Sequence, residues 1–473
     1  MHLLQTLAQL AAHYAAMSAL DLELKHVAIV HRHGARTPTH SSLAGLVSPS
    51  LYQQCNLTPF LNAIQRVGDL QHQANIAKEA AARGVLADTA LRMLPPALTR
   101  VAFGGPSGSA KSNSHLAASR TVEQLKSLLT KASASSCFSG QLTDAGKLMM
   151  VELGHELREL YVEKQRFLPQ VLDSRTARSI YLRSTDYLRT IESLQFLVHG
   201  LYPPLKRQAP NALNLQIHVR PHSDETMYPH DDCATLAVEI KRFRDAFRAN
   251  NARRLQTTLA KFPTLTRAFD GTNLSDMNKI FRIYDALQSL DGNGLPLPPG
   301  VTKEHIKELS DLVIDQWGRA FTSKDAVASL AVGRFFPELA APLVAAARGD
   351  PKATKMSIFS GHDTTILPML ASLKAFDGEF PGYASHLRFE LLQTKRPFWR
   401  RMLGIAQPRQ DYVRMSYNGK ARVIPACAAP GNHFPGQPEL CTLEAFMAEV
   451  ERIAPKNYTA ACMSPIRVVP DWD

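Results

Sequence analysis

The chain has 473 residues, 45% hydrophobic and 20% charged, an ordinary globular balance that excludes intrinsic disorder and supplies a large core without staples. A net charge of +12, from 54 Lys and Arg against 42 Asp and Glu, permits nucleic acid, an anionic membrane or a phosphorylated small molecule as partner. No block of five Lys or Arg and no nucleic-acid motif occurs, which argues against nucleic acid, and no stretch reaches the roughly 18 apolar residues of a membrane span.

The N-terminal segment 1–12 is mildly apolar, with no Lys or Arg before Lys25. It makes a poor signal peptide and a poor transit peptide, so mitochondrial, endomembrane or secreted, and cytoplasmic locations all stay open. The run from His26 to His31 reads as a buried strand, because Val27, Ala28, Ile29 and Val30 follow one another without a polar break. Gly34 ends it and Pro38 bars a simple continuation. Residues 40 to 135 are less regular, with loop-like runs at 104–109 and 133–136.

A long amphipathic helix is expected from Leu142 onward, capped by Thr143 and striped by Leu148, Val151, Leu153, Leu157 and Leu160. Ser179 to Thr185 reads as a second strand, followed by a helix from about Tyr187 to His199 that Gly200 stops. Ile217 to Arg220 is a short strand. From Cys233 to Arg348 helical patterns dominate, as in a helical domain inserted into an α/β core. Lys355 to Ser360 returns to strand character, Gly361-His362-Asp363 follows, and a helix runs on from Thr364. Leu387–Leu392 and Tyr412–Tyr417 alternate as strands do.

Six cysteines occur without a CxxC pair, which disfavours a zinc or thioredoxin-like site. A bridge between Cys427 and Cys441 would close a Pro/Gly-rich loop, and isolated buried thiols are the other reading. Sequons at Asn56, Asn273 and Asn457 do not decide the compartment.

Two strands end in Gly-associated histidine clusters, His31-Arg32-His33-Gly34 and Gly361-His362-Asp363, and Arg183 lies at the end of a third. As neighbours in one parallel sheet they would converge at its C-terminal edge, where α/β sheets place their ligands. Arg32, Arg36 and Arg183 then surround His33 and His362. Guanidinium forks suit a phosphate dianion. His33 can attack phosphorus through one ring nitrogen while a backbone carbonyl orients the other. Asp363 is placed to protonate a departing alkoxide. The rival reading takes His31 and His33 as metal ligands, and the surrounding arginines would repel a divalent cation. His218, His222, His230 and Cys233, with Asp224, Glu225, Asp231 and Asp232, form a second polar cluster, read as a loop beside the cleft ahead of a metal site.

These residues resemble the histidine acid phosphatases, the branch of the histidine phosphatase superfamily that carries RHGxRxP, here Arg32-His33-Gly34-Ala35-Arg36-Thr37-Pro38. Tyr181-Leu182-Arg183-Ser184-Thr185-Asp186 and His362-Asp363-Thr364-Thr365 are similar to further family segments in the same order. The resemblance covers about residues 24 to 450. It implies a phosphoglycerate-mutase-like α/β fold, a mixed sheet flanked by helices with an inserted, mostly helical cap domain. The expected division is 24–220 for the first part of the core, with a loop or lid insertion at about 40–135. The cap would be 221–350, and 351–473 the second part of the core with a closing segment. It implies His33 as nucleophile, Asp363 as proton donor, and Arg32, Arg36, Arg183 and His362 as the phosphate-binding set, with no metal and no cofactor. The implied activity is that of an acid phosphatase working through a phosphohistidine on a small phosphorylated substrate, such as a lysophospholipid, a phosphosugar or an inositol phosphate. The layout is more similar to lysophosphatidic-acid and prostatic-type phosphatases than to fungal phytases.

Overall fold

The computed structural model describes residues 22–40, 43, 51, 52, 55, 137–203, 206, 215–395 and 409–463, and residues 99–103 as backbone. The segment 1–12, the loops at 104–109 and 133–136 and most of the stretch 40–135 lie outside the described residues.

Among the described residues ten strands build one mixed sheet: β1 (Leu22–Arg32), β2 (Thr99–Phe103), β3 (Ile180–Ser184), β4 (Leu215–Val219), β5 (Met356–Gly361), β6 (His386–Thr394), β7 (Asp411–Tyr417), β8 (Lys420–Arg422), β9 (His433–Phe434) and β10 (Gln437–Thr442). Their order is β2-β4-β3-β5-β1-β6-β7-β10-β9, with β8 on β7. The half from β2 to β1 is parallel, and from β1 onward the pairings are antiparallel. β1 is therefore the boundary strand, with β5 on one side and β6 on the other. Its unbroken apolar run follows, since both of its faces are covered.

Strand alternation divides β1 between two cores. Val27 and Ile29 pack with α1 (Asp144–Arg158) and α2 (Leu188–Leu201). Ala28 and Val30 pack on the other face, where α7 (Phe335–Ala347) and α8 (Asp363–Ser372) lie. Before those, the chain runs through α3 (Ala234–Leu259), α4 (Asp276–Gly292), α5 (Lys303–Val313) and α6 (Asp325–Val332). Then come α7 (Phe335–Ala347) and, after β5, α8 (Asp363–Ser372). The helical stretch read as one insertion divides its side chains between two cores. Leu255, Ile280, Ile283, Leu287 and Leu309 form a third core of their own, whereas Leu236, Ile240, Phe335 and Leu339 join the sheet.

The expected helix at Thr143 forms, and the Thr143 side chain accepts from the Gly146 amide. Gly200 does not stop α2, which runs through it to Leu201. Its role is close packing. A Cβ there would lie 2.1 Å from the Val151 carbonyl oxygen, and one on Gly154 would lie 2.0 Å from that of Leu197. The two glycines let α1 and α2 cross backbone against backbone.

All six cysteines are bridged: Cys55–Cys137, Cys233–Cys462 and Cys427–Cys441. Of the two readings left open for Cys427 and Cys441, the bridge across the Pro/Gly loop forms and the isolated thiols do not. Cys233–Cys462 spans 229 residues and ties the N-cap of α3 to the C-terminal segment. Replacing both of its cysteines by serine should lower stability by about 2–5 kcal/mol, read in a denaturant titration. A thiol assay on denatured, unreduced protein should find no free thiol, and a titrating thiol would contradict the pairing.

Candidate active site

The three strands carrying the sequence clusters are neighbours in register. Arg32 pairs with Gly361 across β1 and β5, and Ser184 pairs with Ser360 across β3 and β5. All three end at one sheet edge, as the parallel arrangement requires. The His33 amide donates to the Gly361 carbonyl at 3.0 Å, and the Thr185 amide donates to that of Ser360 at 3.1 Å.

The loop after β1 is held from three directions. The Gly34 amide donates to Ser193 Oγ of α2 at 3.1 Å. Thr143 donates to the Ala35 carbonyl through both its amide (3.1 Å) and its hydroxyl (3.0 Å). A Cβ on Gly34 would lie 2.2 Å from the Gly146 carbonyl oxygen, and one on Gly146 would lie 1.9 Å from that of Ala35. The N-terminus of α1 thus presses directly on the loop. On the far side, the Arg32 amide donates to the Ser385 carbonyl and the Ala384 amide donates to that of His33. Ala384 adopts φ of 58°, a left-handed conformation unusual for alanine.

His33 is buried, and its Nδ1 lies 2.8 Å from the Gly34 carbonyl oxygen. A carbonyl only accepts, so Nδ1 carries the proton and Nε2 keeps its lone pair. Burial, and then the charges of Arg189, Arg32 and Arg36, hold the His33 imidazole well below its usual pKa. His362 is depressed by the same causes. His362 is the N-cap of α8, and its Nε2 meets Thr185 Oγ1 at 2.9 Å. The two imidazole centres are 5.6 Å apart. Asp363 opens α8 and meets Arg32 Nη2 at 2.8 Å.

Arg32 is fully buried, donates to the Pro381 carbonyl at 2.6 Å and sits 4.5 Å from the Tyr383 ring centre. Arg36 Nη2 pairs with Asp285 of α4 at 2.8 Å. The structure does not bring Arg183 to this group. Its guanidinium donates to Glu338 Oε2 at 2.5 Å and to Glu225 Oε1 at 2.6 Å, and Arg220 shares Glu338 at 2.6 Å. The reason is strand alternation. β3 is still running at Arg183, so the side chain leaves the sheet opposite Leu182, on the α7 face beside Phe335. That buried ion-pair cluster engages both of its terminal nitrogens.

The third guanidinium of the site is Arg189, in the first turn of α2. It acts on the charge balance of His33, His362 and Arg36. Burial and the charge of Arg36 draw its pKa down to about 10, so it remains protonated. Among the described residues no carboxylate forms an ion pair with it, and its Nε, like those of Arg32 and Arg36, is buried without a hydrogen-bond partner. Its sequence signal is position, because the helical turn after a strand end faces the sheet edge, whereas the strand's phase turns Arg183 into a face of the sheet. Asp285 and Tyr383 also escaped the sequence reading.

His31 lies within β1, buried, with Nδ1 on the Arg32 carbonyl at 3.1 Å. Among the described residues no group of three or more His, Cys, Asp or Glu side chains is arranged to hold a metal ion. Of the second polar cluster, His222 lies near the site through Tyr228, whereas Glu225 belongs to the Arg183 ion-pair group and His218 stacks on Tyr181. His222 Nδ1 contacts the Tyr228 hydroxyl at 2.7 Å, and the Tyr228 ring lies 5.8 Å from that of His362. Cys233, read with that cluster, belongs to a disulfide instead. A cleft opens from Arg32, Arg36 and Asp363 toward the helical region, walled by Phe281, Tyr284, Trp317 and Phe380 with Arg244 and Arg282.

The sequence model of the histidine phosphatase superfamily (branch 2) matches residues 23–418. A probable acid phosphatase of Schizosaccharomyces pombe is 24% identical over 482 residues, spanning 93% of this chain and 94% of that protein. The lysophosphatidic acid phosphatase type 6 of Mus musculus is 26% identical over 461 residues, spanning 95% and 90%. Among solved structures, the Hafnia alvei phytase in complex with tartrate is similar in fold, with a TM-score of 0.53 at 14% identity over 94% of this chain and 99% of that one. With a matched sequence pattern that runs from the first strand to the seventh, the chain belongs to branch 2 of the histidine phosphatase superfamily, a family of phosphomonoester hydrolases.

Proposed function

We propose that the chain hydrolyses phosphomonoesters through a phosphohistidine on His33. The observation that carries this reading is the Nδ1 bond of His33 to the Gly34 carbonyl, which fixes the tautomer and leaves Nε2 as nucleophile among three arginines. Arg32, Arg36 and Arg189 bind the phosphoryl oxygens, with Arg189 in the place first expected for Arg183. His362 is a neutral partner to the same oxygens. Asp363, which pairs with Arg32, takes a proton from the incoming monoanionic ester as the phosphate takes over Arg32; Nε2 then attacks phosphorus, the P–O ester bond breaks, and Asp363 delivers that proton to the departing alkoxide. Water then attacks the phosphohistidine, Asp363 takes up the water's proton, and orthophosphate leaves with His33 restored.

The substrate class that fits best is a lysophosphatidic-acid-like monoester, with the phosphate at the sheet edge and the apolar part along Phe281, Tyr284, Trp317 and Phe380. The mouse relative that is a lysophosphatidic acid phosphatase supports it. A polyphosphorylated substrate is the second reading, favoured by Arg244 and Arg282 on the same cleft. The three disulfides fit a fold completed in an oxidising compartment.

His33→Ala should abolish orthophosphate release while leaving the unfolding midpoint near wild type, and wild-type turnover would end the mechanism. Asp363→Ala should slow alkyl esters far more than aryl esters, whose good leaving groups need no proton, and equal losses would remove the proton-donor role. Lysophosphatidic acid should exceed glycerol 3-phosphate in kcat/KM by at least about tenfold, since two buried methylenes already contribute about 1.6 kcal/mol. A preference for inositol polyphosphates in the same assay would favour the second reading. Because His33 is held neutral far below pH 6.5, kcat/KM should persist as pH falls through that value. An acid-side half-loss near 6.5 would show an ordinary histidine.

A further inference from the structure

The helical region supplies a residue that no sequence motif marks and that the mechanism above leaves unused. Asp285 lies in the middle of α4, far along the chain from the catalytic loop, with its side chain 5% exposed. Each of its carboxylate oxygens is committed to that loop. Oδ1 meets Arg36 Nη2 at 2.8 Å. Oδ2 accepts from the Thr39 amide at 2.8 Å and from the Thr39 hydroxyl at 2.9 Å. Burial opposes its charge, but Arg36 and the two Thr39 donors outweigh that and keep the carboxylate ionised.

Arg36 is equally committed on its side. Its second terminal nitrogen, Nη1, donates to the Thr37 carbonyl at 3.0 Å. With one bond at each terminal nitrogen, the guanidinium plane cannot turn about its axis, and Nε is left without a partner among the described residues. One and two turns further along the same helix the contact continues. Ser289 Oγ lies 3.3 Å from the Tyr383 hydroxyl, and a Cβ on Gly292 would come within 2.8 Å of the Tyr383 ring. Tyr383 is the ring that flanks Arg32. One face of α4 therefore touches the supports of two phosphate-binding arginines.

We infer that Asp285 is a positioning residue for the phosphoryl-transfer step, acting through Arg36 by fixing the plane of its guanidinium. This rests on the reading of Arg36 as a phosphate ligand. The alternative is that Asp285 only anchors the helical region to the core. The two differ in how substitutions combine. A positioning role is spent once Arg36 is gone, whereas an anchoring role adds its own loss.

The test is a double-mutant cycle on the full chain, read as kcat/KM for an aryl phosphate, with the thermal midpoint recorded alongside. Asp285→Asn keeps the shape but turns an amide donor toward Arg36 or Thr39. It should lower kcat/KM by about 100-fold, the scale of losing one transition-state donor. Arg36→Ala should lower it by at least as much. The double variant should fall within about threefold of Arg36→Ala alone, the residual expected of non-additive partners. If Asp285→Asn does not fold, Asp285→Ser, which removes the charge without adding an opposing amide, takes its place in the cycle. Losses that multiply in the double variant, or a folded Asp285 variant within threefold of wild type, would overturn the positioning role while leaving the His33 mechanism standing. An Arg36→Ala variant with wild-type kcat/KM would overturn the phosphate-ligand reading of Arg36 and this inference with it.

Discussion

Three guanidinium groups gathered at one dry sheet edge are the constraint on which the rest of the site depends. Their mutual repulsion in a low-dielectric pocket is unfavourable unless each charge is balanced nearby. Two of the three are balanced within the protein, Arg32 by Asp363 and Arg36 by Asp285. The third, Arg189, makes no direct ion pair among the described residues; burial and the charge of Arg36 draw its pKa down to about 10 against the more distant charges of Asp363 and Asp285. Burial, and then the same positive field, hold the His33 and His362 imidazoles well below their usual pKa and so neutral.

Holding that charge cluster in place needs a stiff loop, and backbone packing supplies it. Gly34 and Gly146 meet where no side chain fits, and Gly154 and Gly200 do the same one layer away. These contacts join β1, α1 and α2 into one body whose spacing is set by backbone atoms alone. Opposite them, the Pro381–Ser385 segment bonds Arg32 and His33 through its carbonyls and the Ala384 amide. The His33 loop is thus fixed from the sheet, from two helices and from a returning loop, as the proposed reaction, which depends on alignment, requires.

Much of this was legible in the chain. The unbroken apolar run of β1, the Thr143 cap, the strand before His362 and the helix after it all depend on neighbours within a few residues. The clustering of Arg32, His33, Arg36, His362 and Asp363 followed from strand ends meeting at one edge. Arg183 was misread for a physical reason: whether a side chain one residue before a strand end points to the edge or into a face depends on the strand's phase. Glu225 and Glu338, which capture it, lie 42 and 155 residues away. Gly200 was read as a terminator because a lone glycine looks the same whether it ends a helix or admits another one.

The sequence by itself marked the segments that meet at the sheet edge, because RHGxRxP and HD lie at strand ends whose geometry the local backbone dictates. It also determined the alternation of strands and helices, which needs only hydrophobic period and capping. The tertiary structure alone decided which third arginine joins the site, which cysteines pair, and that Asp285 and Tyr383 brace the catalytic loop. Those outcomes turn on groups brought together across long chain separations, where the deciding energies are burial and charge pairing between residues that share no local pattern.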